Sequence, residues 1–275
     1  MHTGRYTVRN PDGEKLMLKK KIRKLKANRF LFEELVKRDF KQKYKRTVLG
    51  MGWSILSPLL ILLVMRLIFT RFFGRDMPFY TTYLFAGNLM FNFFKESTSG
   101  GMTALRGNSA IFTKINVPKY LFLLSKNVSS VFNFLLSMVV FFVFAAIDGV
   151  TFKPSCLMIF YPICTLTVFN IGFGMILSAM HVFFQDTKYL YDIFVRLLLY
   201  MSAIFYDVSA YPEQVQRLFL LNPVYVNIKY VRVIVINGTV PSLMYHGLLL
   251  LYALIALGIG ALIYKKQNHR FLYYV

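Results

Sequence analysis

The feature that most constrains this chain is a series of apolar runs, each long enough to cross a membrane. Crossing a hydrocarbon layer about 30 Å thick takes roughly 20 residues of α-helix. Because 56% of the 275 residues are hydrophobic, a water-soluble fold would have to bury more apolar surface than its core could hold. The sequence therefore predicts an all-α integral membrane protein of about six transmembrane helices, over residues 51–71, 79–103, 121–147, 156–183, 190–207 and 243–264.

Positive charge is distributed unevenly and predicts the orientation of the chain. Of 33 Lys and Arg residues, 16 lie in the first fifty positions. If the N-terminus is cytoplasmic, the segments on that side hold 23 of these residues and the opposite loops hold six. The positive-inside rule then places both termini in the cytoplasm. The basic residues behind the net charge of +21 are thus explained by their position on the cytoplasmic side of a membrane, and we expect no nucleic-acid partner.

The N-terminal region precedes the first apolar run and divides into two parts. Residues 1–28 form a basic cytoplasmic tail without the apolar core of a cleavable signal peptide. Residues 29–48 predict an amphipathic helix in the cytoplasmic headgroup layer, because apolar side chains recur every four positions among lysines and arginines. These apolar side chains are Phe32, Val36, Phe40, Tyr44 and Val48. The transmembrane domain follows over residues 49–265, and residues 266–275 form a cytoplasmic C-terminus.

The segment between the last two spans, residues 208–242, is too long for a hairpin turn. It is strongly apolar, yet proline, asparagine and glycine interrupt it. A broken apolar segment can enter a membrane only where protein or water satisfies its backbone groups. We therefore expect two short helices that re-enter the outer leaflet as a partly buried hairpin.

Motifs for catalysis are absent from the sequence. The four histidines are scattered, and there is no HExxH, GxSxG or paired-cysteine metal spacing. Cys156 and Cys164 lie two helical turns apart, too far to form a disulfide with each other. The phosphate loop GxxxxGK[ST] is also missing, so any work driven by ATP requires a partner protein. We predict that the chain is not an enzyme and binds no metal or cofactor.

Charged side chains inside predicted spans are costly and need an explanation. They are Arg66, Lys95, Glu96, Lys126 and Arg196. Lys126 lies close to the cytoplasmic end and is expected to reach the headgroups. Lys95 and Glu96 point in different directions on one helix, so they mark a wet region or a contact with another helix. Arg66 either reaches the outer headgroups or lines an anion path, and Arg196 either lines a pore or subunit interface or pairs with Asp192.

Aromatic side chains make up 17% of the sequence, and several are concentrated in the second and fifth spans. At membrane boundaries they commonly form interfacial belts, which accounts for most of them. A sharper hypothesis is that their flat faces stack on sugar rings and let a polymer slide past.

Several motifs occur in an order that resembles the ABC-2 type permeases of polysaccharide exporters, the family of O-antigen and teichoic-acid export permeases. The first is the run over residues 38–50, which leads into Trp53 and Pro58. The others are the run over residues 111–118, Phe183-Phe184-Gln185-Asp186, and Asn222-Pro223. The resemblance extends over about residues 30–265. One departure is Gln185, where many relatives have an arginine before the aspartate, so a salt bridge from that position is not expected here.

This resemblance implies a subunit arrangement and a set of functional residues. Two copies of the chain would form a homodimer with two copies of a nucleotide-binding subunit that binds ATP and Mg²⁺. The cargo would be an undecaprenyl-diphosphate-linked glycan crossing a bacterial inner membrane, in contact with membrane lipids.

The gate and lipid-phosphate residues would be Lys43, Tyr44, Lys45 and Arg46. The helix coupled to the ATPase would contain Arg106, Lys114, Asn116 and Pro118. The conduit between protomers would be lined mainly by spans one and five, with the candidates Trp53, Arg66, Phe91, Phe94, Arg196, Tyr200, Phe205 and Tyr206. An external gate would include Pro212, Asn222, Pro223 and Tyr225.

Three alternatives stay open at this point. An ABC-2 exporter of a drug or lipid would have an aliphatic, closed seam between its protomers. A membrane enzyme acting on lipid-linked sugars would need a cluster of carboxylates or histidines at one membrane face, which the sequence does not provide. A voltage-gated channel is the weakest alternative, because no span repeats arginine at every third position.

Overall fold

The computed structural model describes residues 28–43, 45, 47–73, 78–115 and 117–274, and within these ranges the chain is helical without any strand. The first helix, α1, covers residues 28–43. The others are α2 (Trp53–Phe73), α3 (Tyr80–Thr103), α4 (Ser109–Phe112), α5 (Tyr120–Ile147), α6 (Phe160–Phe183), α7 (Thr187–Met201), α8 (Glu213–Phe219), α9 (Pro223–Arg232) and α10 (Leu243–Gln267). Short 3-10 turns connect several of them, and a π-helical turn, Val233–Asn237, continues α9.

Helix α3 forms the centre of the bundle and packs against α2, α5, α6, α7 and α9. Most of its side chains are buried, including Phe85, Phe93 and Phe94. Because protein surrounds it, α3 tolerates polar residues that a lipid-facing helix would exclude. This position explains why the second span is the least apolar of the six predicted ones.

Close packing of α6 against α10 depends on small residues. A Cβ atom added at Gly172 would lie 2.3 Å from the backbone carbon of Ala256, and one added at Gly260 would lie 2.5 Å from the Gly172 carbonyl oxygen. A second close approach joins Gly101 of α3 to Gly174 of α6. Small residues let helix backbones approach until their main chains touch, which is the usual basis of helix association in membranes.

The segment between α7 and α10 contains the two short helices that the sequence predicts. Helices α8 and α9 meet at an angle of 106°, as in a broken span or a re-entrant loop. Helix α9 is almost wholly buried against α3, α6 and α10, whereas α8 has no buried residue. The chain thus inserts α9 into the bundle and leaves α8 at its edge.

Three of the described helical segments are long and apolar enough to span a membrane, and the bent pair makes up to four. They are Tyr120–Ile147, Pro154–Phe183 and Leu243–Gln267. Helix α3 carries too many polar residues to pass this test, α7 has only 15 residues, and the described apolar part of α2 is short. Membrane embedding is therefore supported, and the count of six spans stays a prediction.

The helix bundle has two chemically distinct ends. At the end that we call the basic end, Lys119 of the loop before α5 contacts Asn268, and Leu35 of α1 belongs to the same apolar cluster as Leu105 and Phe271. At the opposite end, which we call the far end, Thr82 donates to Asp148 and Tyr80 donates to the carbonyl of Phe205. The two ends provide the reference for locating each candidate residue.

Candidate functional site

A polar groove of about 760 Å³ lies near the basic end, between the end of α1 and helices α2, α3 and α5. Its walls carry hydroxyl, amide and charged side chains together with one indole ring. The lining residues are Lys43, Thr47, Trp53, Ser54, Ser57, Pro58, Ile61, Asn92, Lys95, Glu96, Ser99, Asn133 and Ser137. Polar residues facing each other inside an apolar bundle are expensive, so such a groove is a candidate functional site.

Glu96 of α3 is the centre of the hydrogen-bond network in this groove. Its Oε1 atom lies 2.7 Å from the Lys43 ammonium and accepts a hydrogen bond of 2.8 Å from the Asn133 amide. The Asn133 carbonyl oxygen in turn accepts from the Ser54 hydroxyl at 3.2 Å. The network therefore joins α1, α3, α5 and α2 through polar contacts. The sequence predicts that Lys95 and Glu96 mark a wet region or a helix contact, and Glu96 makes such a contact.

Helix α1 is anchored to the bundle by a buried carboxylate that the sequence analysis did not single out. Asp39 is only 1% exposed at its side chain, accepts from Ser125 at 2.9 Å and pairs with Lys126 at 2.9 Å. Lys126 is predicted to reach the headgroups; the structure shows in addition that its side chain, 29% exposed, pairs with Asp39. A lysine near a span end takes a buried carboxylate as partner because pairing removes the cost of isolated charge.

The apolar face of α1 also differs from the expected one. Leu35 is its most buried apolar side chain, and Phe40 packs edge-on against Phe132 of α5 with ring centroids 4.8 Å apart. Val48, predicted on the same face, lies in a bend and is fully exposed. Leu35 and Asp39 are one turn apart, so the helix side that meets the bundle is partly polar.

The predicted gate residues are only partly within the described residues. Lys43 is paired with Glu96, and Lys45 is exposed at the basic end. Tyr44 and Arg46 lie outside the described residues. Their role in binding a lipid phosphate stays a prediction.

The predicted coupling loop lies at the basic end and contains two short helical turns, Arg106–Asn108 and Ser109–Phe112. Lys114 is exposed, whereas Arg106 and Pro118 are half-buried. Asn116 lies outside the described residues. The exposed part of this loop offers a cation beside apolar surface, since Ile115 is 47% exposed.

A C-terminal strap, which we define as residues 268–274, holds the base of this loop. The buried ammonium of Lys119 donates to the backbone carbonyl of Asn268 and lies 5.7 Å from the ring centroids of Phe112 and Phe271. Burial lowers the pKa of Lys119. The Phe271 ring is fully buried and packs against Phe183. Loop, strap and the end of α6 therefore form one packed unit.

The conduit candidates on α2 and α3 fall into two groups. Trp53 is 44% exposed on the groove wall, and Arg66 is exposed on α2 without an ion pair to another described residue. Phe91 and Phe94 are at most 2% exposed and lie in the main core of the chain. Phe94 stacks on Phe173 of α6. In this conformation the two phenylalanines pack the interior of the protomer, so a passage between two protomers would not reach them.

The conduit candidates on and after α7 also differ in their exposure. Arg196 and Tyr200 are exposed, and within the described part of the chain Arg196 makes no ion pair with Asp192. Phe205 and Tyr206 follow the helix at the far end and are half-buried. Tyr206 donates to the Tyr200 carbonyl at 2.7 Å, which folds the chain back over the end of α7.

The predicted external-gate residues all lie at the far end, around α8 and α9. Asn222 caps α9, because its side-chain oxygen accepts from the amides of Val224 and Tyr225. Its amide group donates to Ser202 at 3.0 Å. Pro223 occupies the first turn of α9, Tyr225 is buried, and Pro212 is exposed before α8. A gating role for these residues stays a prediction.

Arg232 is the residue that sequence reasoning most clearly misplaced. Counted among the cations of an outer loop, it is instead 6% exposed at the end of α9. Its guanidinium donates to the carbonyls of Tyr83, Ala203 and Ile204 and lies 3.4 Å from the Tyr83 ring centroid. An arginine within the apolar run over residues 223–236 was the available signal, since an isolated cation there needs several acceptors.

Among the described residues there is no cluster of three or more histidine, cysteine, aspartate or glutamate side chains able to hold a metal ion. The fold and groove thus define a helical membrane protein with a polar wall between its helices.

The chain belongs to the ABC-2 type transporter family, whose profile matches residues 31–236. It is therefore a transport permease, and the predicted family is confirmed.

Relatives with named functions match over most of the chain. An O-antigen export system permease protein of Klebsiella pneumoniae is 28% identical over 248 residues, covering 88% of this chain and 95% of that protein. One from Myxococcus xanthus is 28% identical over 206 residues, covering 74% and 78%. The polysialic acid transport protein of Escherichia coli is 21% identical over 243 residues, covering 87% and 94%.

Proposed function

We propose that this chain is the membrane subunit of an ABC exporter that moves a lipid-linked polysaccharide across the bacterial inner membrane. The similarity to O-antigen export permeases, over 95% of one and 78% of another, carries the proposal. The groove beside α1 supports it, because polar groups in the bundle suit a hydrophilic cargo better than a lipid. O-antigen is the first candidate, and teichoic acid or another surface glycan is the alternative cargo.

ATP hydrolysis takes place in a separate nucleotide-binding subunit, in this proposal. Two such subunits, with ATP and Mg²⁺, act on a homodimer of this chain. The loop with Arg106, Lys114, Asn116 and Pro118 transmits their motion. Packing of this loop against the C-terminal strap supports that role, because a rigid unit passes displacement on to α6 and α10.

The transport cycle alternates between two arrangements of the permease halves. The lipid diphosphate approaches at the basic end, on the cytoplasmic side, where Lys43, Lys45 and Arg46 offer charge-assisted hydrogen bonds. For Lys43 this requires release from Glu96, which it contacts in the present conformation. The glycan leaves past the far end, where α8 and α9 lie.

Co-purification with the ATPase tests the partner assignment. We expect Lys114→Glu to lower the amount of nucleotide-binding subunit retained on the tagged chain by about tenfold, because it reverses an exposed charge on the docking loop. Lys153→Glu is the matched control, since Lys153 is also exposed but lies at the far end. Equal retention by both variants would exclude this loop as the docking surface.

Loss of surface glycan tests the transport function itself. Deletion of the chain from its host should leave the glycan inside the cell, where extraction and sugar analysis detect it, and complementation should restore it to the surface. Normal surface glycan in the deletion strain would contradict the proposal.

A further inference from the structure

The groove combines hydrogen-bonding groups of opposite kinds on adjacent walls. Glu96 can only accept hydrogen bonds, Lys95 can only donate them, and the amides and hydroxyls of Asn92, Ser57 and Ser99 do both. The Glu96 side chain is 41% exposed, and its Oε2 atom accepts no hydrogen bond from the described residues. A ligand that fills the groove must therefore offer both donors and acceptors.

The polar wall is fixed in place by contacts behind it. Asn133 and Ser54 are only 5% and 9% exposed, and they hold each other and Glu96 through the network described above. Buried side chains with satisfied hydrogen bonds keep one geometry, which is how binding sites orient their polar groups. The Glu96 carboxylate is thus presented to the groove by a prearranged support.

Helix α2 adds apolar surface to the groove beside its two serines, Ser54 and Ser57. Trp53 presents a half-exposed indole beside Pro58 and Ile61, all of them on α2. Sugar rings have this dual character, with C–H groups on their faces and hydroxyls on their edges. The volume of about 760 Å³ falls within the range of about 300–1,000 Å³ typical of small-molecule sites, which leaves room for more than one ring.

We infer that this groove is a binding site for hydroxyl-bearing sugar rings, with Glu96 and Asn133 on the polar wall and Trp53 as the stacking surface. A diphosphate brings only acceptors, so it leaves the Glu96 carboxylate unsatisfied and repels it. A sugar hydroxyl donates to Glu96 and accepts from Lys95 or an amide at the same time. The inference rests on the proposed function and names the part of the cargo that this groove holds.

The tryptophan of the groove allows a direct binding test, because Trp53 is the only tryptophan in the chain. The purified full-length chain in lipid nanodiscs is titrated with oligosaccharides released by mild acid from the surface glycan of the producing strain, with the lipid removed. We expect a saturable change in Trp53 fluorescence. Farnesyl diphosphate, which carries the headgroup chemistry without sugar, should give no comparable change.

Two variants test the polar wall. Glu96→Gln keeps the shape of the side chain and removes its charge, so we expect about fivefold weaker binding, and Asn133→Leu should weaken it about tenfold or more. Glu213→Gln is the matched control, because it neutralises an exposed glutamate, also paired with a cation, on α8 at the far end. Circular dichroism and size-exclusion profiles identify variants that fail to fold, and Glu96→Gln then carries the test.

The inference falls if the sugar causes no saturable change, if Glu96→Gln binds as tightly as the original chain, or if farnesyl diphosphate gives the larger response. Export of surface glycan, measured in the same strains, separates this failure from that of the proposed function. If export is normal but sugar causes no fluorescence change, the groove is not a sugar site and the proposed export function still holds. If the chain binds sugar but its deletion leaves export intact, the proposed export function is contradicted.

Discussion

Arg232 places a positive charge among helix ends in the interior of the bundle. It donates to three backbone carbonyls, two of which belong to the turn after α7, where Ala203 adopts a positive φ of 48°. Such a backbone conformation is costly for a residue with a Cβ atom and persists only where its surroundings hold it. Arg232 therefore fixes both the end of α7 and the entry of α9 into the core.

Replacement of Arg232 tests this structural role. Arg232→Met keeps much of the side-chain volume but removes the donor from the buried carbonyls of Ala203 and Ile204, each at a cost of about 1–3 kcal/mol. We expect a loss of about 3 kcal/mol or more, seen as a lower unfolding temperature of the purified chain in detergent. Arg217→Met is the control, because Arg217 is 74% exposed and its pair with Glu213 contributes little. Equal unfolding temperatures for the two variants would contradict the role.

The basic residues after α1 provide a second test at the scale of single residues. Lys45→Gln combined with Arg46→Gln should lower export of surface glycan several-fold while the chain still inserts, because both cations lie where the lipid phosphate is proposed to bind. Lys265→Gln combined with Lys266→Gln removes two neighbouring cations at the end of α10 and serves as control. Unchanged export at equal protein level would remove Lys45 and Arg46 from the phosphate site.

Partners of charged residues could be anticipated only in part. The cost of charge inside a span identifies Glu96 and Lys126 as residues that need an explanation. Their partners, Lys43 and Asp39, lie more than fifty positions away in the sequence and on α1, whose orientation relative to α3 and α5 is set by packing. The sequence pattern indicates that a charged residue in a span needs a partner, but only the tertiary structure shows which residue that partner is.

Helix boundaries show which elements are determined by local sequence. Helices α3 and α5 begin and end within one residue of the predicted spans, because the apolar runs end at charged or turn-forming residues. The fifth span was predicted over residues 190–207, but α7 covers Thr187–Met201. The apolar run continues past Met201, and the helix stops there because the following carbonyls turn towards Arg232. That cause is 28 to 29 residues away in the sequence, so the run itself does not reveal it.

The contact of α6 with α10 gives a prediction at the scale of an element pair. Gly172→Ala would push a methyl group into the backbone of α10 at Ala256, so the helices must separate. We expect a destabilisation of about 3 kcal/mol or more, because backbone atoms cannot move aside as a side-chain tip can. Thermal unfolding and the fraction of monodisperse protein after extraction measure it.

Gly258 provides a control on α10 in the same experiment. A Cβ atom added at Gly258 has no neighbour within 4 Å, so Gly258→Ala should leave the fold intact or stabilise the helix slightly. If Gly172→Ala and Gly258→Ala unfold at the same temperature, the close contact between α6 and α10 is not needed for stability.

At the scale of the whole molecule, two exposed helix faces differ in what can cover them. Between residues 243 and 262 the side chains exposed on α10 are apolar, such as Leu251 and Leu254, and suit lipid, whereas its exposed lysines lie in its last turn. The outer face of α7 also has exposed apolar residues, including Leu197, but Asp192 and Arg196 are exposed beside them. Lipid does not satisfy these charges, whereas a second copy of the chain or a watery passage does. The homodimer proposed for transport therefore places α7, and not α10, near the seam.

Cross-linking with cysteine pairs tests this arrangement in membranes. After both native cysteines are changed to serine, Leu197→Cys should yield covalent dimers with a short bifunctional maleimide, because the two α7 helices face each other across the seam. Leu254→Cys should stay monomeric, although the original side chains are almost equally exposed, at 59% and 56%. Dimer formation on denaturing gels measures the result. Equal cross-linking at both positions, or cross-linking only at Leu254, would place the seam elsewhere and remove α7 from the wall of the conduit.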